Sequence, residues 1–178
     1  MTATATDPRA TRPSADEFAP YYGTYISKVV DGDIVETLKS QIGPTIAYLR
    51  GIPEARAGHR YAEGKWSIRE VVGHLCDAER IFTYRALRIA RADTTPLAGF
   101  DENEFVKRAR LDDRNFASMI AELEAVRGAT IALFDGLFPE EWTRHGTASG
   151  KEVSARALAW ITAGHELHHL EVLKSRYA

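Results

Sequence analysis

The run Gly164-His165-Glu166-Leu167-His168-His169 concentrates metal-ligating side chains more densely than any other stretch of this sequence. His165 and His169 are four residues apart, so on a helix of about 3.6 residues per turn they lie one above the other on one face. Two imidazoles at that spacing can close on one metal ion, but two ligands rarely hold a metal well. A third must come from elsewhere, and His74, inside another strongly helical segment, is the best candidate. Three neutral imidazoles leave a divalent metal with its full charge and at least one position free for water or substrate. A metal in that state lowers the pKa of a bound water or thiol and creates a nucleophile near neutral pH. Zinc, nickel and iron all accept imidazole, so the donors alone do not choose among them.

A blander account competes with this one. A single histidine on an apolar helix face is usually a hydrogen-bonded core residue. Here two imidazoles share a stripe with Leu158, Ile161 and Val172. Burying both costs free energy unless both find partners, and one metal would satisfy both. His165, Glu166 and His169 also fit the H-E-x-x-H pattern, in which the glutamate of a metalloprotease activates water. That reading is weaker. The chain shows no strands on which to bind a peptide, and few residues follow to supply a third ligand. Glu166 lies about 100° around the helix from His165, which makes it a neighbouring or surface carboxylate and not a ligand. Cys76, about 200° from His74, is disfavoured as a co-ligand. Asp77 is either an orienting partner of His74 or a solvated charge. His168 fits packing or the surface better than a role beside the ligands. His59 and His145 fall in predicted loops, and Trp66, Trp142 and Trp160 read as packing residues.

Four long amphipathic patterns must position these groups. The first spans about Asp33 to Arg50, with Ile34, Val35, Leu38, Ile42, Ile46 and Leu49 at helical spacing, and Pro44 is expected to bend or interrupt it. Before it, Ala15 to Tyr25 forms a short helix or an aromatic arm. The second starts at Ser67, where Glu70 completes a capping box, and carries Ile68, Val71, Val72, Leu75, Phe82, Ala86 and Ile89 on one face. Asp93 to Gly99 breaks the pattern, and a short helix is expected over Glu102 to Arg108. The third runs from about Asp113 to Leu137, with Phe116, Ile120, Leu123, Val126, Thr130, Leu133 and Leu137 inward and Pro139 closing it. Arg144 to Gly150 reads as a polar loop, and the fourth helix begins near Ser154. The predicted class is all-α, a four-helix bundle, in one domain over residues 15–178 after a flexible tail over residues 1–14. The connection of about 20 residues between the second and third helices is long enough to run the bundle's length.

Composition narrows the function classes. The 178 residues are 44% apolar and 27% charged, ordinary for a globular protein. A net charge of −2 gives no bulk attraction to nucleic acid or an anionic membrane. Arg110, Arg114 and their neighbours look like a solvated face without stacking aromatics. No apolar run is long enough for a membrane span, and the N-terminus lacks a signal core. With one cysteine, Cys76, no intramolecular disulfide can form, so a cytoplasmic location is expected. Helix faces leave a homodimer open.

The sequence resembles the DinB-like, or YfiT-like, helical-bundle superfamily. The resemblance is carried by Trp66-Ser67-Ile68-Arg69-Glu70, by His74-Leu75 and Asp77, and by His165-x-x-x-His169, and it covers roughly Asp31 to Arg176. It implies a four-helix bundle in up-down-down-up order and a metal triad at His74, His165 and His169. It also implies a range of activities. Some relatives transfer low-molecular-weight thiols such as bacillithiol or mycothiol, among them a mycothiol-dependent maleylpyruvate isomerase. Others form the N-terminal domain of iron-dependent sulfoxide synthases, where the motif resembles His165-x-x-x-His169-x-Glu171. Those work with a second, larger domain, so that chemistry is not expected here. The leading expectation is a metal-dependent enzyme on small molecules, with thiol S-transfer the first reaction class. The alternatives are a non-catalytic metal-binding or stress-response bundle and, behind it, a metal-dependent hydrolase.

Overall fold

In a computed structural model, which describes residues 7–177, four long helices pack as a bundle. A 3-10 turn at Pro20–Tyr22 leads into α1 (Gly23–Ile26), followed by α2 (Ile34–Arg50), α3 (Ile68–Ala90), α4 (Glu102–Arg108), α5 (Phe116–Asp135) and α6 (Pro139–Trp142). A hairpin of β1 (His145–Ala148) and β2 (Lys151–Ser154) then leads into α7 (Ala155–Arg176). The starts are set by local chemistry. Asp33 accepts from the amides of Val35 and Glu36 at the head of α2, and Ser67 and Glu70 form a reciprocal capping box on α3. Asn115 and Ser154 accept from the third amide of α5 and α7.

The order is up-down-down-up. Tyr177 at the end of α7 donates to the carbonyl of Trp66 ahead of α3, so α3 and α7 run antiparallel. The α3–α5 pair is parallel, since Arg69 reaches Arg114 near their starts while Thr83 meets Thr130 further along. Arg50 pairs with Glu124 and Lys39 with Asp135, so α2 opposes α5, whereas Gln41 and Thr45 reach Glu166 along a parallel α7. Each of α2 and α3 therefore packs on α5 and α7, and the two lie on a diagonal.

The bundle interior has apolar layers at each end. One gathers Val35, Leu38, Phe82, Phe134, Trp142, Trp160 and Ile161, and the other Leu49, Val72, Leu75, Phe116, Leu123 and Leu173. Between them lies a polar belt of Thr45, Glu79, Arg127, Thr130, His165 and Glu166, all buried. Such groups are tolerated only when paired, and the clustered histidines discussed below sit in or beside this belt.

Several expectations need correction. The segment read as a polar loop, Arg144 to Gly150, contains β1 and the turn of an antiparallel hairpin. Its strands are four residues long, too short for alternation to show, and Ser149 and Gly150 both have positive φ, 52° and 71°, as a tight hairpin turn requires. The third long helix starts at Phe116 and not at Asp113. Leu111–Asp113 is a separate 3-10 turn, entered through Arg110 at φ 50°, and Asn115 outcompetes it as a cap. The helix ends at Asp135, and Pro139 opens α6, where its missing amide costs nothing. Leu133 and Val172 are half-buried, with Phe134 and Leu173 taking the inward positions. Pro44 neither ends nor divides α2, because it and Ser40, whose carbonyl it leaves free, both face solvent.

Of the predicted tail, residues 1–6 fall outside the described residues, and residues 7–14 are held against the bundle. Arg9 pairs with Asp33 and Asp135, and Arg12 donates to the carbonyls of Ile26 and Val29 with its guanidinium 4.7 Å from the Trp160 ring. Among the described residues no helix is long and apolar enough to cross a membrane.

Candidate metal centre

His74, on the second turn of α3, faces His165 and His169 in the middle of the antiparallel α7. Its Nε2 is 3.0 Å from Nε2 of His165, which is 3.1 Å from Nε2 of His169. One ligand atom from each of the three lies within 4.8 Å of the others. Nitrogens bound at about 2.0–2.1 Å to one tetrahedral ion would stand about 3.3 Å apart, close to what is seen. Three ring nitrogens turned on one another cannot all be hydrogen-bonded, since each proton placed between them serves one pair. No carboxylate or carbonyl accompanies them among the described residues, so the cluster has the form of a ligand set.

The surroundings keep these rings neutral. Burial pushes His74 down to about 4. His165 and His169 are held well below the usual histidine range, first by burial and then by the neighbouring histidines. Neutral imidazole is the form that binds a metal. Trp66 lies against His74 at 4.7 Å between centroids, and Tyr25 and Phe82 meet His165 edge-on at 5.2 and 5.5 Å. Trp66 is therefore a wall of the cluster as well as a packing residue.

Tyr25 is brought there by a glycine. A Cβ on Gly164 would stand 2.1 Å from the Tyr25 carbonyl oxygen, so only glycine lets α1 lie against α7 beside His165. The obstacle is backbone, which cannot rotate away. Gly164→Ala is expected to lower stability by about 1–3 kcal/mol and to displace the aromatic arm. A urea titration checks the first effect, and faster cleavage by limited proteolysis near Tyr25 checks the second. An unchanged midpoint would show that the arm is not held there.

The residues singled out from sequence divide clearly. Glu166 is 1% exposed and turned away from the histidines, accepting from Thr45, Gln41 and Arg127. Arg127 in turn holds Glu79 through two bonds of 2.8 and 2.9 Å. Asp77 is half-buried and 3.8 Å from Arg80, not bonded to His74. Cys76 is buried, and burial pushes its thiol up to about 12. His168 lies on the flank between Tyr25 and His169. Glu171 is bound to Lys28 at the surface. His59 is exposed, and His145 is exposed on β1 and not in a loop.

Two residues escaped the sequence reading. Arg127 breaks the apolar stripe of α5, and Arg85 lies eleven residues after His74, about three turns on. A charge at an inward position was the available signal for both. Arg85 lines a cavity of about 600 Å³ that also reaches His74, His165, Tyr25, Phe82 and Phe100. A second hollow, of about 310 Å³, reaches Trp66, His168 and His169.

The family model described as the DinB superfamily matches residues 38–173. The chain belongs to the DinB superfamily. Among relatives of this DinB protein, one from Oceanobacillus iheyensis is 27% identical over 144 residues, covering 79% of each chain, and is named "Putative metal-dependent hydrolase". The solved structure of YfiT from Bacillus subtilis superposes with a TM-score of 0.67 at 16% identity, over 92% of each chain. It is described as "a probable metal-dependent hydrolase with an unusual four-helix bundle topology", and its fold is the DinB bundle seen here. The mycothiol-dependent maleylpyruvate isomerase superposes with a TM-score of 0.66 at 14% identity, over 86% of this chain and 62% of its own. At these identities the likeness to solved structures is one of fold.

Proposed function

We propose that His74, His165 and His169 hold one divalent metal ion through Nε2, and that the protein is a metal-dependent enzyme acting on a small molecule. The observation that carries this is the convergence of three neutral imidazoles, His74 and His165 buried and His169 half-buried, beside a cavity of substrate size. A metal bound there supplies a Lewis acid that makes a nucleophile available at neutral pH. The chain's own residues do the rest. The three rings fix the position of the reacting end, Trp66, Tyr25 and Phe82 limit water around it, and the Arg127–Glu166 pair anchors α7 below it.

Thiol S-transfer is the leading reaction class, with a low-molecular-weight thiol as one substrate. It needs room for two molecules at one centre. Two hollows that reach the histidines, one at His74 and His165 and the other at His168 and His169, offer it. Hydrolysis is the second reading, favoured by the name of the Oceanobacillus iheyensis relative. A non-catalytic centre fits less well, because a structural site would be closed on all sides.

The test is a panel of thiols (glutathione, cysteine, bacillithiol, mycothiol) with monochlorobimane as electrophile, and p-nitrophenyl acetate without thiol. Turnover with one thiol, abolished by EDTA and restored by added metal, is the expected result. Metal-dependent ester cleavage with no thiol reaction would move the assignment to hydrolysis. No metal-dependent turnover of either kind would favour the non-catalytic reading.

A further inference from the structure

Two arginines are buried in this bundle, and they differ in what surrounds them. Arg127, 1% exposed, is bracketed by the carboxylates of Glu79 and Glu166. Arg85, 2% exposed, has no carboxylate within ion-pairing distance among the described residues. Its Nη2 donates to the Ala98 carbonyl at 2.8 Å and to the Ser149 hydroxyl at 2.9 Å, and the Tyr22 hydroxyl lies beside the guanidinium, so the protein partners of Arg85 are all neutral. A guanidinium stays charged at any working pH, and a buried charge without a counter-charge is costly. The one open side is the cavity.

The fold holds this group in place. Ser149 reaches it from the hairpin turn, at a φ of 52° where glycine or asparagine is the usual residue. Backbone bonds between Leu97 and both Thr147 and Ser149 fix that turn to the segment carrying Ala98. The Arg85 guanidinium lies 5.9 Å from the Phe100 ring. Glu102 and Lys151 also line the cavity, but both are exposed, so neither neutralises Arg85 within it.

Position along α3 gives the ligand's shape. His74, Ala78, Phe82 and Arg85 share one face, and eleven residues at about 1.5 Å each separate the first and last backbones by about 16 Å. The cavity thus has histidines at one end, an apolar floor at Ala78 and Phe82, and an unpaired cation at the other. We propose that Arg85 is a specificity-determining residue that receives a carboxylate of the substrate, so that the enzyme acts on an elongated anionic molecule with an apolar middle. Which end reacts rests on the metal reading above; the carboxylate site does not.

The test compares 5-phenylpentanoate with its neutral amide by calorimetry, on protein as purified and again after EDTA treatment and dialysis. A hydrogen-bonded charge pair in a dry site supports a preference of at least about tenfold for the carboxylate. That preference is expected in both preparations. Arg85→Gln should reduce it to about one while leaving the amide's affinity within about twofold, and Arg85→Lys should keep part of it. Equal binding of the two probes to the unmodified protein overturns the proposal, as does an undiminished preference in Arg85→Gln. Failure to bind the carboxylate at about 10 mM overturns it as well. If Arg85→Gln does not fold, the unmodified protein and Arg85→Lys decide. Failure of the metal reading alone would leave the carboxylate preference intact in both preparations.

Discussion

Protein purified without an affinity tag and carrying His74→Ala is expected to have lost its metal, against close to one ion per chain for the unmodified protein by elemental analysis. His74 is the only ligand that α3 contributes to the proposed set. Its removal leaves two imidazoles one turn apart on α7, a pair exposed to competition from every chelator in the cell. Losing a hydrogen-bond partner of a ligand typically costs about 10–100-fold in affinity, so losing the ligand itself should cost more. His165→Ala and His169→Ala should behave alike, whereas His168→Ala, which removes a ring from the flank, should retain the ion. Melting temperature gives a second readout. Metal at about 100 times its dissociation constant should stabilise the unmodified chain by about 2.7 kcal/mol and leave His74→Ala unmoved. Full occupancy in His74→Ala would show that the three rings are not the ligand set.

Arg127→Met is expected to be the most destabilising single change in the bundle. The methionine fills much the same space, but Glu79 and Glu166 stay behind, 4% and 1% exposed, with their shared counter-charge gone. Breaking a buried ion pair from one side costs about 3–5 kcal/mol, a large part of a domain's total stability. The effect should carry a pH signature. Uncompensated buried carboxylates have folded-state pKa values raised above the unfolded ones, so the native state then binds more protons than the unfolded chain. The variant's deficit should therefore shrink as the pH is lowered toward about 5 and widen above about 7. Urea titrations of both proteins across that range give the comparison. Adding Glu79→Gln and Glu166→Gln to Arg127→Met should recover much of the loss. A constant deficit at all pH values would assign it to packing.

The sequence revealed most where a single helix carries the signal. The i, i+4 pair His165 and His169, the capping box of Ser67 and Glu70, and the stripe of α2 all depend on neighbours within one turn, and spacing reports them directly. That His74 would meet the pair across the bundle needed the register between α3 and α7, which periodicity does not contain; the family resemblance supplied it. The hairpin stayed hidden because His145 to Ser154 is too short and polar for alternation. Arg85 and Arg127 were passed over because an arginine at an inward position is read as surface unless its partners are known. Those partners, Glu79 and Glu166 for one and the neutral Ala98 carbonyl and Ser149 hydroxyl for the other, come from other segments of the chain.

The diagonal placement of α2 and α3 has a consequence for how the molecule assembles. Helices that follow each other in the chain usually bury their apolar stripes together, which lets an N-terminal fragment gain structure early. Here a fragment ending after α4 would hold two long helices with no common face, each waiting for α5 and α7. Such a fragment should stay uncollapsed, and the whole bundle should acquire its order in one concerted step.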